Sequence, residues 1–129
     1  MDDLILEGQI NTPSINFNSE TGVLKMFGRS IPENPLKFYQ PIENWIAGFI
    51  LSNPSNIELH IHLDYLNTHS TECILILIKK IEAFTSQTNT NAKIVWSFDQ
   101  DDEDMQDLGE DLSTLISIPF EYKEVVDED

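Results

Sequence analysis

A single-domain α/β fold, with a mixed β-sheet and helices mainly on one face, follows from three features of this sequence. Ile57, Leu59, Ile61, Leu63 and Tyr65 alternate with Glu58, His60, His62 and Asp64, the period of a strand with one buried face. From residue 35 onward, segments with helical spacing alternate with strand-like segments, which predicts parallel strands joined by right-handed crossovers. Ahead of them the chain carries only strand and turn signals, so an antiparallel part is added to the sheet.

Taken in order, Leu4, Ile5 and Leu6 make a short first strand, and a turn-prone run from Asn11 to Ser14 follows. Ile15 and Phe17 alternate with polar neighbours, Ser19 to Gly22 is a turn, and Val23 to Phe27 resumes the strand pattern. Residues 14–28 therefore read as a hairpin ended by Gly28. The loop from Ile31 to Pro35 holds two prolines, the second suited to the first turn of a helix. Leu36, Phe38, Tyr39, Ile42, Trp45, Ile46, Phe49 and Ile50 then recur at helical spacing until Ser52 to Asn56 stops the helix. A strand over 57–66 and a helix over 70–86 come next, then a polar loop from Ser86 to Asn91. Ile94, Trp96 and Phe98 form one face of another strand, a helix runs from about Asp102 to Ile116, and Phe120 to Val126 closes the sheet. The polar stripe Glu58, His60, His62 and Asp64 leaves one sheet face partly wet, which puts the helices on the other.

At 129 residues the chain is expected to form one domain over 1–129, with a core that needs no staples. Apolar residues make up 40% of it, which argues for a globule, and no apolar run approaches a membrane span. The start, Met1, Asp2 and Asp3, lacks the basic region of a signal peptide. The lone cysteine, Cys73, sits in an apolar run and reads as a buried thiol, so a cytoplasmic location is expected. Seven Lys and Arg stand against 23 Asp and Glu, a formal net charge of −16. Such a surface repels nucleic acid and anionic lipid and favours protein partners with basic or mixed surfaces.

Three constellations bear on function. His60, His62 and Asp64 share one strand face, but they lack a fourth ligand and an orienting shell, so a solvated sheet face explains them and no metal is assigned. Starting at Asp99, the acidic run through Asp101, Glu103 and Glu110 mimics the spacing of a calcium loop. Position six is Asp104 where that loop needs glycine, and Met105, Leu108, Leu112 and Leu115 already carry helical spacing. Acids at a helix start suit the helix dipole without any ion. The third is Thr68 with Asn67, His69, Ser70 and Thr71, delivered by a strand to the first turn of a helix at the C-terminal end of a parallel strand. Backbone N–H groups there lack intrahelical partners, so a phosphoryl group on a hydroxyl would be held well. An ordinary N-cap role for Thr68 accounts for the same residues. Nucleophilic catalysis by Thr68 with His69 lacks a third orienting group, and no glycine-rich phosphate loop marks the chain as a kinase.

Four separated motifs carry a resemblance over nearly the whole chain. They are Gly28 to Asn34 (GRSIPEN), Phe38 to Pro41 (FYQP) with Trp45, Tyr65 to Ser70 (YLNTHS), and Asp101 to Met105 (DDEDM) with Gly109 to Asp111 (GED). In this order and spacing they resemble the SiaC family of bacterial regulatory phosphoproteins, which is similar in fold to anti-sigma-factor antagonists of the STAS type.

The resemblance implies a non-enzymatic partner-switching module without a cofactor. A threonine in the matching turn, here Thr68, is phosphorylated by a dedicated protein kinase and released by a PP2C-type phosphatase. The unphosphorylated form is expected to bind and activate a diguanylate cyclase, raising cyclic di-GMP and favouring biofilm growth. His69 departs from the small hydroxyl residue more usual in the family. Around the switch, Arg29, Glu33, Phe38 and Tyr39 are the expected docking residues. Two other classes stay open on the residues alone: a constitutive acidic adaptor that ignores phosphate, and a small metal-dependent enzyme built on His60, His62 and Asp64.

Overall fold

Chain order and spatial order coincide in the sheet. Strands β1 (Leu4–Leu6), β2 (Ser14–Phe17), β3 (Val23–Ser30), β4 (Asn56–Leu66), β5 (Asn91–Asp99) and β6 (Phe120–Val125) lie side by side in that order. The computed structural model describes residues 1–126. β2 pairs antiparallel with both β1 and β3, whereas β3 through β6 run parallel, so the sheet is mixed as the sequence predicts. Helices α1 (Pro35–Leu51), α2 (Thr68–Thr85) and α3 (Glu103–Ser113) supply the three crossovers. Crossovers of one hand between successive neighbours stack their helices on one side of the sheet.

That side is the core. Ile57, Leu59, Ile61 and Leu63 of β4 are buried against Ile42, Ile46 and Phe49 of α1 and Ile74, Leu77 and Ile78 of α2. Trp96 of β5 is fully buried and donates from Nε1 to the Met105 carbonyl of α3 at 2.9 Å. Gly109 is required there, since a Cβ at that position would stand 2.5 Å from the Trp96 ring. Trp45 packs between Phe17 and Phe49, with ring centroids 5.4 and 5.0 Å away, and its Nε1 donates to the Asp2 carbonyl. The opposite sheet face carries Lys25 and Phe27, His60 and His62, and Lys93, all exposed or half-buried. The helices thus lie where the polar stripe predicted.

Local chemistry fixes the connections. The β2–β3 turn closes through Asn18, whose Oδ1 accepts from the N–H groups of Glu20 and Thr21. It ends at Gly22 with φ +74°, and a Cβ there would collide with the Asn56 carbonyl. Pro35 occupies the start of α1, with Asn34 as its cap, and Pro41 lies within the helix on an exposed face. α2 begins at Thr68, two residues earlier than the spacing suggests, and α3 stops at Ser113, short of Ile116.

One expectation fails for a clear reason. β3 and β4 slip register between Gly28 and Arg29: Gly28 pairs with Leu63, but Arg29 pairs with Tyr65. The extra β4 residue, Asp64, is a bulge, and past it the alternation of faces reverses. Tyr65 therefore leaves the buried set of Ile57, Leu59, Ile61 and Leu63 and is 57% exposed.

Candidate functional site

The bulge ends β4 at the turn that carries Thr68. Asn67, not Thr68, caps α2: its Oδ1 accepts from the Ser70 N–H at 2.8 Å and its carbonyl accepts from the Thr71 N–H at 3.0 Å. This corrects the N-cap reading of Thr68, which is the first helical residue. Its side chain is exposed, and its hydroxyl makes no hydrogen bond among the described residues. Of the first four N–H groups of α2, those of Thr68 and His69 are left without a protein partner among the described residues. His69 is exposed beside them, whereas Thr71 turns its hydroxyl back onto the Asn67 carbonyl at 3.0 Å. In a chain with 23 acidic residues, the first turn of α2 contains none.

Beneath the turn lies a buried polar cluster. Ser30 and Ser70 are fully buried, and the Ser30 and Tyr39 hydroxyls share a hydrogen bond of 2.5 Å. Ser70 Oγ lies beside the same phenol without completing a hydrogen bond of its own. Burial pushes the Tyr39 hydroxyl up to about 12, against the lowering effect of its bond to Ser30. The Asn67 N–H donates to the Ser30 carbonyl at 3.2 Å, tying the end of β3 to the turn. Burial likewise pushes the Cys73 thiol up, and nearby Glu43 and Glu72 add to the effect, so this thiol is a core side chain and a poor nucleophile.

The expected docking residues do not form one surface. Tyr39 is 2% exposed and belongs to the buried cluster, so it is withdrawn as a docking residue: its helical phase points it at Ser30. Glu33 and Phe38 line a groove of about 910 Å³ between the start of α1 and the β1–β2 loop, together with Leu6, Lys37 and Pro41. Arg29 stands apart from that groove, with its guanidinium carbon 5.3 Å from the centre of the exposed Tyr65 ring. Neither the buried hydroxyl cluster nor the Arg29–Tyr65 stack was anticipated from sequence. The only signal for the cluster was the spacing that put Tyr39 in phase with Ile42 and Ile46.

The remaining constellations resolve into pairs and a helix start. His60 Nε2 lies 3.3 Å from Glu58 Oε1, and that contact, with help from Lys93, holds the Glu58 carboxyl below its usual range. His62 Nε2 lies 2.9 Å from Asp99 Oδ1. Among the described residues no group of three or more His, Cys, Asp or Glu side chains is gathered to hold a metal ion. Asp102 caps α3 by accepting from the Met105 N–H at 3.1 Å, so a helix begins in the middle of the supposed calcium loop.

Comparison with known proteins agrees with this architecture. The model for the SiaC family regulatory phosphoprotein matches residues 6–125. SiaC of Pseudomonas aeruginosa superposes with a TM-score of 0.89 at 26% identity, over 97% of this chain and 100% of that one. A chain from the crystal structure of the diguanylate cyclase SiaD in complex with its activator SiaC, also from P. aeruginosa, superposes with a TM-score of 0.89. Its identity is 27% over 95% of this chain and 100% of that one. An uncharacterized protein of P. aeruginosa (strain UCBPP-PA14) is 29% identical over 120 residues, 93% of this chain and 94% of its own length. What these matches describe is a regulatory protein and not an enzyme. The chain belongs to the SiaC family of regulatory phosphoproteins.

Proposed function

We propose that this protein is a partner switch whose phosphoacceptor is Thr68. A protein kinase adds the phosphoryl group, a PP2C-type phosphatase removes it, and the unphosphorylated form binds and activates an effector, a diguanylate cyclase. The observation that carries the reading is an exposed threonine hydroxyl on the acid-free first turn of α2, in a chain otherwise crowded with carboxylates. A structural neighbour contains SiaD with its activator SiaC, which supports a cyclase as the effector class.

The physics is local. Phosphorylation adds about −1.5 to −2 charges at pH 7. At Thr68 that charge meets the positive end of the helix dipole and two backbone N–H groups, so the domain keeps its fold. A partner seated over the turn instead meets bulk, a desolvation cost and repulsion. A differential affinity of about 1–3 kcal/mol changes occupancy roughly 5- to 150-fold, enough for a switch. Glu33 and Phe38, with the groove they line, remain in the docking surface we assign to the effector. Among the described residues no helix is long and apolar enough to cross a membrane.

The test is phosphorylation with ATP and the candidate kinase, mapped by peptide mass spectrometry, alongside cyclase pull-down and cyclic di-GMP synthesis. A single phosphate on Thr68 that abolishes cyclase binding and activation is expected. Thr68→Ala should keep binding the cyclase after kinase treatment. A phosphate placed elsewhere, or release of the alanine variant by the kinase, overturns the reading. Binding that ignores phosphate altogether identifies a constitutive adaptor.

A further inference from the structure

We propose that Arg29 is the internal receptor for the phosphoryl group on Thr68, leaving the Tyr65 ring when the phosphate arrives. The inference rests on the reading of Thr68 as the phosphoacceptor and adds the residue that senses it.

Arg29 differs from the other cations in what holds it. Lys79, Lys80 and Lys93 each sit within 4 Å of a carboxylate, whereas Arg29, like Lys25, Lys37 and Lys123, has no such partner among the described residues. In a chain of net charge −16 it is held over an aromatic ring instead. The β4 bulge is what brings the two together, because it turns Tyr65 to the face on which Arg29 stands. Both side chains are exposed, so the stack contributes only about 0.5–1 kcal/mol and is easily exchanged.

The same register sets Arg29 beside the phosphoacceptor turn. Its neighbour Ser30 pairs with Leu66 and accepts from the Asn67 N–H, the residue before Thr68. From Tyr65 to Thr68 the chain spans at most about 11 Å even if fully extended. Arg29, whose backbone lies opposite Tyr65, is separated from Thr68 by two chain steps and the Asn67–Ser30 hydrogen bond, a span we assign to the reach of its long side chain. Guanidinium and phosphate form paired, charge-assisted hydrogen bonds, roughly twice as strong as neutral ones and stronger than an exposed ring contact. Asp64 from β4, and Asp102 and Asp104 from the start of α3, line a cleft with Tyr65 and leave the region short of positive charge. Arg29 supplies a permanent positive charge beside the turn. Phosphorylation would then uncover the Tyr65 ring and carry the signal from the start of α2 to the open sheet face.

The experiment uses full-length protein carrying phosphothreonine at position 68 by genetic encoding, which makes it independent of any kinase. Phosphorus NMR titration compares it with the Arg29→Gln and Arg29→Lys variants, in all of which His69 and the nearby carboxylates are unchanged. The second phosphate ionisation should lie about one pH unit lower with Arg29 than in Arg29→Gln, with Arg29→Lys between them. The Tyr65 ring resonances should move on phosphorylation in the parent protein and stay still in Arg29→Gln. Equal phosphate titrations in the parent and Arg29→Gln overturn the receptor role. Failure of a kinase to modify Thr68 would overturn the acceptor assignment alone, since the encoded phosphothreonine still reads Arg29.

Discussion

The starts of α2 and α3 are built alike and charged differently. Both follow a parallel strand, and both are capped by an Asx side chain that accepts from the backbone N–H three residues on, Asn67 to Ser70 and Asp102 to Met105. The α3 start then places Glu103 and Asp104 in its first turn, so its dipole is already met by fixed carboxylates. The α2 start offers Thr68, His69, Ser70 and Thr71 and no acid. One end is neutralised permanently and the other is left open to the charge we propose for Thr68. The α1 start is acid-free too, with Asn34 accepting from the Lys37 N–H, so neither the cap nor the missing acids single out the α2 turn; what it adds is the exposed Thr68 hydroxyl.

What lies beneath each start gives the largest expected effects. α3 is seated on Trp96, and Trp96→Ala should cost about 3–5 kcal/mol in urea unfolding. α2 is seated on Tyr39, and Tyr39→Phe should cost about 1–3 kcal/mol, because the buried Ser30 hydroxyl loses its partner. The two seats also separate by pH. Tyr39 ionises near 10 when unfolded and near 12 when folded, so above pH 10 the unfolded chain holds fewer protons than the folded one. Stability from the neutral phenol is complete below pH 10 and is lost as pH rises through 12, on the order of 2–3 kcal/mol. Tyr39→Phe should flatten that part of the alkaline unfolding profile, and an unchanged profile would show that the phenol is not the group responsible.

Smaller effects test the comparison itself. Asn67→Ala and Asp102→Ala should each lower stability by about 1 kcal/mol in urea melts, since the two caps make the same bond. Markedly unequal losses would break the claimed likeness. Charge should then distinguish them. Thr68→Glu should raise stability by about 0.3–1 kcal/mol at low salt, and Glu103→Gln should lower it by a similar amount, both effects shrinking as salt is added. A destabilising Thr68→Glu would mean that the α2 start does not accept negative charge.

Much of this was legible in the sequence. The period of β4, the turn at Ser19 to Gly22 and the helical phase of Ile42, Ile46 and Phe49 gave the mixed sheet with helices on one face. The YLNTHS run located the turn that bears Thr68. What escaped were features decided by tertiary pairing. Tyr65 continues a perfect alternation in sequence, and only the β3 partner reveals that Asp64 is an extra residue. Tyr39 and Phe38 are adjacent aromatics on one helix, and which of them is buried depends on the helix phase against Ser30. The cap passed from Thr68 to Asn67 because both residue types suit that role, and only the hydrogen bond to Ser70 separates them.

The sheet whose spatial order repeats its chain order has a consequence for synthesis. Each strand, as it leaves the ribosome, finds its first neighbour already made, and none has to be threaded later between two that are paired. Such a chain can assemble from its N-terminus outward while it is being translated at about 5–20 residues per second. β3, which supplies the anchoring carbonyl of Ser30, is complete well before Asn67 emerges to meet it. A nascent chain halted after β5 would already carry a seated α2 start, with α3 and β6 still to come. The turn that bears Thr68 is then among the earlier parts of the molecule to reach its folded shape, and the acidic helix beside it among the later ones.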